Sequence, residues 1–150
     1  DIKAAKAAYE SEYEIGERLY EADPTDARWL LSFSSASERM GDLLERTGDP
    51  QAARRMFEQM LELSEEVVKQ DPNNLQRQDD LAVACDRVGE IALRQQDLEA
   101  ARDAYRRSIE VRRPIVERDG ANPRLQRWLR ETEIKVRSIE SRLAAQSTSQ

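Results

Sequence analysis

Few side chains in this 150-residue chain could form or break covalent bonds. The sequence has one cysteine, Cys85, and no histidine, so it lacks the usual proton shuttle at neutral pH and the commonest metal ligand. Cys85 belongs to an apolar stripe at helical spacing, which predicts a small buried side chain and not a reactive thiol. Without a histidine base, the clustered serines are expected to be small polar packing residues: Ser32, Ser34, Ser35 and Ser37.

The charged side chains carry no catalytic signature either. The chain has 30 Asp and Glu residues, and no carboxylate pair among them lies in a motif that would raise a pKa. Arginines recur in the last third of the chain: Arg106, Arg107, Arg112, Arg113, Arg124, Arg127 and Arg130. Because acidic residues interleave with them and aromatic platforms are absent, we interpret these arginines as a solvated helix face and not as a nucleic-acid site. We predict no catalytic residue, metal or cofactor.

The composition is typical of a soluble, helix-rich domain, with 39% hydrophobic and 36% charged residues. No apolar run approaches the roughly eighteen residues that span a membrane, and no signal peptide is visible. These features predict a cytoplasmic protein without a membrane partner. The chain begins at Asp1, inside a predicted helix, so we expect it to be part of a longer protein.

Charge is distributed unevenly along the chain. Residues 1–101 hold 12 basic and 23 acidic side chains, a net charge of −11, whereas residues 102–150 hold 12 and 7, a net charge of +5. Such polarity can steer partners or subunits toward one another.

The sequence repeats with a period of 48 residues. Sliding it by that distance aligns Gly41 with Gly89, Phe57 with Tyr105, and Asp23-Pro24 with Asp71-Pro72. A fixed period between 20 and 50 residues indicates a solenoid or array. Apolar residues within each unit follow helical spacing, as Trp29, Phe33, Met40 and Leu44 do. We predict six helices near 2–22, 25–46, 51–70, 73–95, 98–118 and 123–145, three of them starting at Asp23-Pro24, Asp71-Pro72 and Asn122-Pro123 as N-cap and first helical residue.

The repeats resemble tetratricopeptide repeats, whose pattern is W-x2-L-G-x2-Y, then A-x3-F, then P. The corresponding residues are Ser37-x2-Met40-Gly41-x2-Leu44 with Ala53-x3-Phe57, and Cys85-x2-Val88-Gly89-x2-Ala92 with Ala101-x3-Tyr105. The tryptophan and the final tyrosine of the pattern are replaced, and the period exceeds the usual 34 residues. The surplus is two insertions of seven residues, which are two helical turns each and keep the apolar faces in register. The units therefore resemble an elongated, bacterial-type version of the repeat.

This resemblance implies an all-α fold, an antiparallel helix-hairpin solenoid with a right-handed superhelix of about six helices. The predicted organisation is one domain over 1–150, with the second helix of a truncated repeat at 1–22, repeats at 23–70 and 71–121, a capping helix at 122–146 and a disordered tail at 147–150. Gly41 and Gly89 are expected to let the partner helix approach with its small Ala53 and Ala101. Phe57 and Tyr105 would then fill the space between neighbouring hairpins.

The resemblance also implies a binding site, because tetratricopeptide arrays bind peptides or protein segments on the concave face lined by the first helix of each pair. The positions that match this face are Ser35, Glu38, Asp42, Glu45, Val83, Asp86, Glu90, Arg94 and Arg137. Five acids, Glu38, Asp42, Glu45, Asp86 and Glu90, would form a solvent-open strip across two helices. A basic peptide or protein is the partner that such a strip favours.

Two functions fit these features. The first is a non-enzymatic protein-interaction module, a scaffold or regulatory part of a larger protein, with no nucleic-acid partner. The second is a self-assembly element whose acidic and basic halves dock head to tail. Homo-oligomerisation through the truncated N-terminal helix, with its Tyr9, Tyr13 and Tyr20, is a further expectation.

Overall fold

The computed structural model of the protein describes residues 2–118 and 120–148, which form six α-helices and no strand. The helices are α1 (Ile2–Ala22), α2 (Ala27–Arg46), α3 (Pro50–Gln70), α4 (Leu75–Arg94), α5 (Leu98–Arg118) and α6 (Pro123–Ser147). Each boundary lies within two residues of its prediction, so the all-α fold class is confirmed. Part of the predicted disordered tail, Ser149 and Gln150, lies outside the described residues.

The helices belong to two compact units, Asp1–Pro72 with α1 to α3 and Asn73–Gln150 with α4 to α6. Within each unit, helices that follow one another along the chain pack together as antiparallel neighbours, as predicted. None of the described helices is long and apolar enough to cross a membrane.

Capping residues explain where the helices begin. Asp26 precedes α2 and accepts a hydrogen bond from the backbone N–H of Arg28 at 2.8 Å, and Asn74 precedes α4 in the same way. The prediction that Asp23-Pro24 and Asp71-Pro72 start these helices is therefore wrong. Both dipeptides lie in the preceding turn, because an acceptor three residues later caps the helix instead. Only Asn122-Pro123 caps its helix as predicted, with Pro123 at the first helical position.

The Asp26 cap also carries an electrostatic signature. Its carboxylate accepts side-chain and backbone hydrogen bonds from Arg28, and these lower the pKa of Asp26 from its ordinary 3.8 to about 2. The charged form of this carboxylate is therefore the form that starts α2.

Gly41 and Gly89 allow close helix packing, but the group that approaches them is not the predicted one. A Cβ atom on Gly41 would lie 2.6 Å from the ring of Phe57, and one on Gly89 would lie 3.0 Å from the ring of Tyr105. Each aromatic ring therefore packs against the glycine of its own hairpin, α2–α3 or α4–α5. The ring occupies the space that a side chain at the glycine would fill. Ala53 and Ala101 are fully buried.

Each unit has its own apolar cluster. In the first unit Leu30, Phe33, Leu63 and Val67 are buried together, and the rings of α1 pack onto this cluster. In the second unit the cluster runs from α4 through α5 to α6: Ala92, Leu98, Ala101, Tyr105, Ile109, Val136 and Ile139. Cys85 is fully buried, as predicted for a small filler.

The N-terminal helix α1 is anchored by its tyrosines. The rings of Tyr13 and Tyr20 lie 5.1 and 5.7 Å from the ring of Phe33, and the Tyr13 hydroxyl donates to Gln59 Oε1 at 2.8 Å. Tyr9, Tyr13 and Tyr20 are all half-buried, so part of this aromatic face is exposed. Oligomerisation through this helix stays a prediction.

Candidate interaction surface

In the first unit, four of the predicted binding residues lie on α2, spaced three or four residues apart: Ser35, Glu38, Asp42 and Glu45. That spacing places them on one side of the helix. Ser35 is exposed and the three acids are half-buried, whereas Leu30, Phe33 and Ser37 are buried toward the other helices. We refer to these four residues as the α2 polar face, and it combines three carboxylates with a small hydroxyl.

In the second unit the predicted residues have varied surroundings. On α4, Val83 is half-buried and Arg94 is exposed, and on α6 Arg137 is exposed. The Glu90 carboxylate lies 3.6 Å from the Lys135 ammonium of α6 and 3.9 Å from the Arg87 guanidinium. Two cations therefore accompany Glu90, and the surface of this unit is less acidic than the sequence pattern indicates. A single strip joining the carboxylates of the two units stays a prediction.

Asp86 is not solvent-open, and this part of the prediction is wrong. Its side chain is 8% exposed, and its Oδ2 accepts a hydrogen bond from Arg112 Nη1 at 2.6 Å. The aligned residue of the first repeat, Glu38, is half-buried. Asp86 differs because a buried guanidinium from α5 lies beside it, and a carboxylate paired in this way is part of the protein interior.

Arg112 is the charged residue that sequence reasoning placed wrongly. It was expected on a solvated face, yet it is fully buried. Its Nη1 donates to Ser108 Oγ at 3.0 Å, its Nε donates to Asp79 Oδ1 at 3.3 Å, and its guanidinium lies 3.5 Å from the ring centroid of Trp128. The other six arginines of that set are exposed, as predicted for a solvated face. The 48-residue slide aligns Arg112 with Ser64, which is buried in the structure, but the sequence alone does not show that burial.

The Arg112 cluster joins three helices of the second unit. Asp86 and Asp79 come from α4, Arg112 and Ser108 from α5, and Trp128 from α6. Within the described part of the chain, Asp86 Oδ1 and Arg112 Nη2 are buried without a hydrogen-bond partner. Its hydrogen bonds and ion pairs join α4 to α5.

Tyr105 lies close to the same acids. Burial raises the pKa of its hydroxyl, and the negative charges of Glu90 and Asp86 raise the pKa further. The hydroxyl therefore stays neutral throughout the physiological range. No group of acidic and cysteine side chains among residues 2–118 and 120–148 has the arrangement of a metal site.

Comparison with known proteins identifies the repeats. One family model described as a tetratricopeptide repeat matches residues 37–74, and another with the same description matches residues 82–114. No curated protein matches the chain.

Two solved structures are similar to the chain. A crystal structure of PcrH in complex with the chaperone binding region of PopD is 16% identical, covers 91% of this chain and 81% of that chain, and superposes with a TM-score of 0.47. A de novo designed helical repeat protein, DHR64, is 21% identical, with 97% and 73% coverage and a TM-score of 0.47.

The matched segments correspond to the repeats seen in the sequence and in the helices. The first spans the second half of α2 and all of α3, and the second spans most of α4 and most of α5. Each contains one of the tight glycine–aromatic contacts, Gly41 with Phe57 or Gly89 with Tyr105. Residues 37–74 and 82–114 of this chain are thus tetratricopeptide repeats.

Proposed function

We propose that the chain is a protein-interaction module that binds a peptide or protein segment on the α2 polar face of its first unit. The α2 polar face is the observation that carries this proposal. Its carboxylates are half-buried and lie on the side of α2 that is turned away from the buried core residues Leu30 and Phe33.

The proposed surface differs from the sequence pattern at one residue. Asp86 is excluded because its carboxylate is buried against Arg112. Each unit keeps its own set of residues in the proposal: Ser35, Glu38, Asp42 and Glu45 in the first, and Val83, Glu90, Arg94 and Arg137 in the second. Lys135 and Arg87 lie beside Glu90. The other three acids of the proposal all lie on α2.

A basic peptide is the expected ligand, since the carboxylates of the α2 polar face favour Lys and Arg side chains. Attraction between exposed charges weakens as salt screens it, so affinity should fall with rising ionic strength. Catalysis plays no part in the proposed function, and a scaffold or regulatory role in the bacterial cytoplasm is part of the proposal.

The test uses a displayed library of random peptides, selected on the parent protein at low salt. We expect the enriched peptides to be rich in Lys and Arg and to lose binding to the double variant Asp42→Lys/Glu45→Lys. The control variant Glu110→Lys/Glu117→Lys makes the same change of charge on exposed positions of α5 and should bind like the parent. Peptides that bind the parent and the α2 variant equally well would refute the proposed site.

The uneven charge favours a second candidate, head-to-tail self-assembly of the −11 and +5 halves. Sedimentation at low and high salt separates the two functions. A monomer at both salt concentrations supports the interaction module, whereas an oligomer that dissociates as salt rises supports self-assembly.

A further inference from the structure

A cleft of about 500 Å³ lies in the first unit, between the last turns of α1 and α3 and over the start of α2. Its volume falls within the range of about 300–1,000 Å³ that is common for ligand pockets. The floor is apolar, formed by Tyr20, Leu30, Phe33 and Leu63. The cleft is therefore an opening onto the edge of the apolar cluster of this unit.

The rim of the cleft is acidic. Glu62, Glu65 and Glu66 all line it from α3, together with one cation, Lys69. The Lys69 ammonium lies 3.0 Å from the Glu66 carboxylate, and acids outnumber cations on the rim. An apolar floor below an acidic rim is complementary to an apolar side chain with a basic neighbour.

Two hydrogen bonds hold the walls of the cleft in place. The Tyr13 hydroxyl of α1 donates to Gln59 Oε1 of α3 at 2.8 Å, and Gln70 Nε2 donates to the carbonyl oxygen of Thr25 at 2.9 Å. Gln59 and Thr25 both line the cleft. A pre-formed cleft lowers the ordering cost of binding.

We propose that this cleft binds an apolar side chain of a partner segment that carries a lysine or arginine directly beside it. The apolar side chain contacts Tyr20 and Leu63, and the basic residue lies among the glutamates of the rim. This site is separate from the α2 polar face. Phe33 of the cleft and Asp42 of the polar face are nine residues apart on α2. At about 100° per residue, that spacing places them on opposite sides of the helix.

The second repeat provides a built-in comparison. The 48-residue slide aligns Glu62, Glu65 and Glu66 with Glu110, Arg113 and Pro114. The acidic set is thus specific to the first repeat, and Glu110→Lys, at an exposed position, is the matched control for Glu62→Lys.

The test is a titration of the isotopically labelled protein with acetyl-Lys-Leu-Lys-amide, followed by backbone amide chemical shifts. We expect saturable shifts at Tyr20, Leu63 and their neighbours. Acetyl-Glu-Leu-Glu-amide should produce none of them. Glu62→Lys should weaken binding of the basic peptide about fivefold or more, because it replaces an attraction by a repulsion, whereas Glu110→Lys should leave it unchanged.

Three results would overturn the proposal. They are no saturable shift at the cleft, equal shifts with both peptides, or equal affinity of the basic peptide for the Glu62→Lys and Glu110→Lys variants of the protein. The dispersion of the amide spectrum reports that each variant is folded. The double variant Asp42→Lys/Glu45→Lys should bind the tripeptide like the parent, so failure of the cleft site and failure of the α2 polar face are distinguishable.

Discussion

Arg112 is the residue whose replacement should affect the second unit most. In the variant Arg112→Met, the Asp86 carboxylate loses the cation 2.6 Å away and remains 8% exposed. Removing one partner of a buried ion pair costs about 3–5 kcal/mol, because the other charge stays buried without compensation. Asp79 is less affected, since its side chain is 23% exposed and can be rehydrated. We therefore expect Arg112→Met to lower the free energy of unfolding by about 3–5 kcal/mol.

Urea unfolding followed by circular dichroism measures this change. At about 2–4 °C per kcal/mol for a chain of this length, the expected fall in Tm is roughly 6–20 °C. Arg113→Met is the matched control, because Arg113 is exposed and lies 3.3 Å from Glu133 in a solvated ion pair. Pairs of that kind contribute about 0–1 kcal/mol.

A double replacement separates charge from packing. Arg112→Met combined with Asp86→Leu removes both buried charges, and such apolar replacements are often neutral or stabilising by about 1–4 kcal/mol. We expect the double variant to regain most of the stability lost in Arg112→Met. If Arg112→Met costs no more than Arg113→Met, the reasoning about the buried pair is refuted.

Three further predictions concern the helices. Gly41→Ala should destabilise the protein by about 1–3 kcal/mol, because the added Cβ would lie 2.6 Å from the Phe57 ring. Gly89→Ala should cost less, because its Cβ would lie 3.0 Å from the Tyr105 ring. A lower Tm for Gly89→Ala than for Gly41→Ala would contradict this order. Asn74→Ala should cost about 1 kcal/mol through loss of the α4 cap, and a free energy of unfolding equal to that of the parent would argue against capping. Asp26 should titrate near pH 2 when its carboxyl chemical shift is followed, because its pKa is lowered from 3.8 to about 2. Its contribution to stability is then complete above pH 3.8 and is lost as the pH falls through about 2. Titration at the ordinary value would disprove the charged cap.

Local patterns allowed the helices to be predicted from the sequence, because each has apolar residues at helical spacing and short turns separate them. Cys85 could be placed for the same reason, as it occurs on such a stripe. The positions of the caps were harder to predict, since Asp23 and Asp26 are both plausible acceptors and the choice depends on how the intervening turn folds.

The Arg112 cluster could not be predicted from single positions. An arginine in a run of charged residues is usually solvated, and only the packing of α4, α5 and α6 brings Asp86 and Trp128 to its two sides. The glycine contacts illustrate the same limit. The need for a close approach at Gly41 followed from the repeat pattern, but the identity of the approaching group, the Phe57 ring, depended on the packing of the hairpin.

Chemical-shift mapping with a library-selected basic peptide tests the proposed binding surface most directly. We predict saturable changes centred on Ser35, Glu38 and Asp42 of α2 in the parent protein, and their loss in Asp42→Lys/Glu45→Lys while the spectrum stays that of a folded protein. Changes confined to other helices, or an unchanged affinity for the double variant, would contradict a partner-binding role for the α2 polar face.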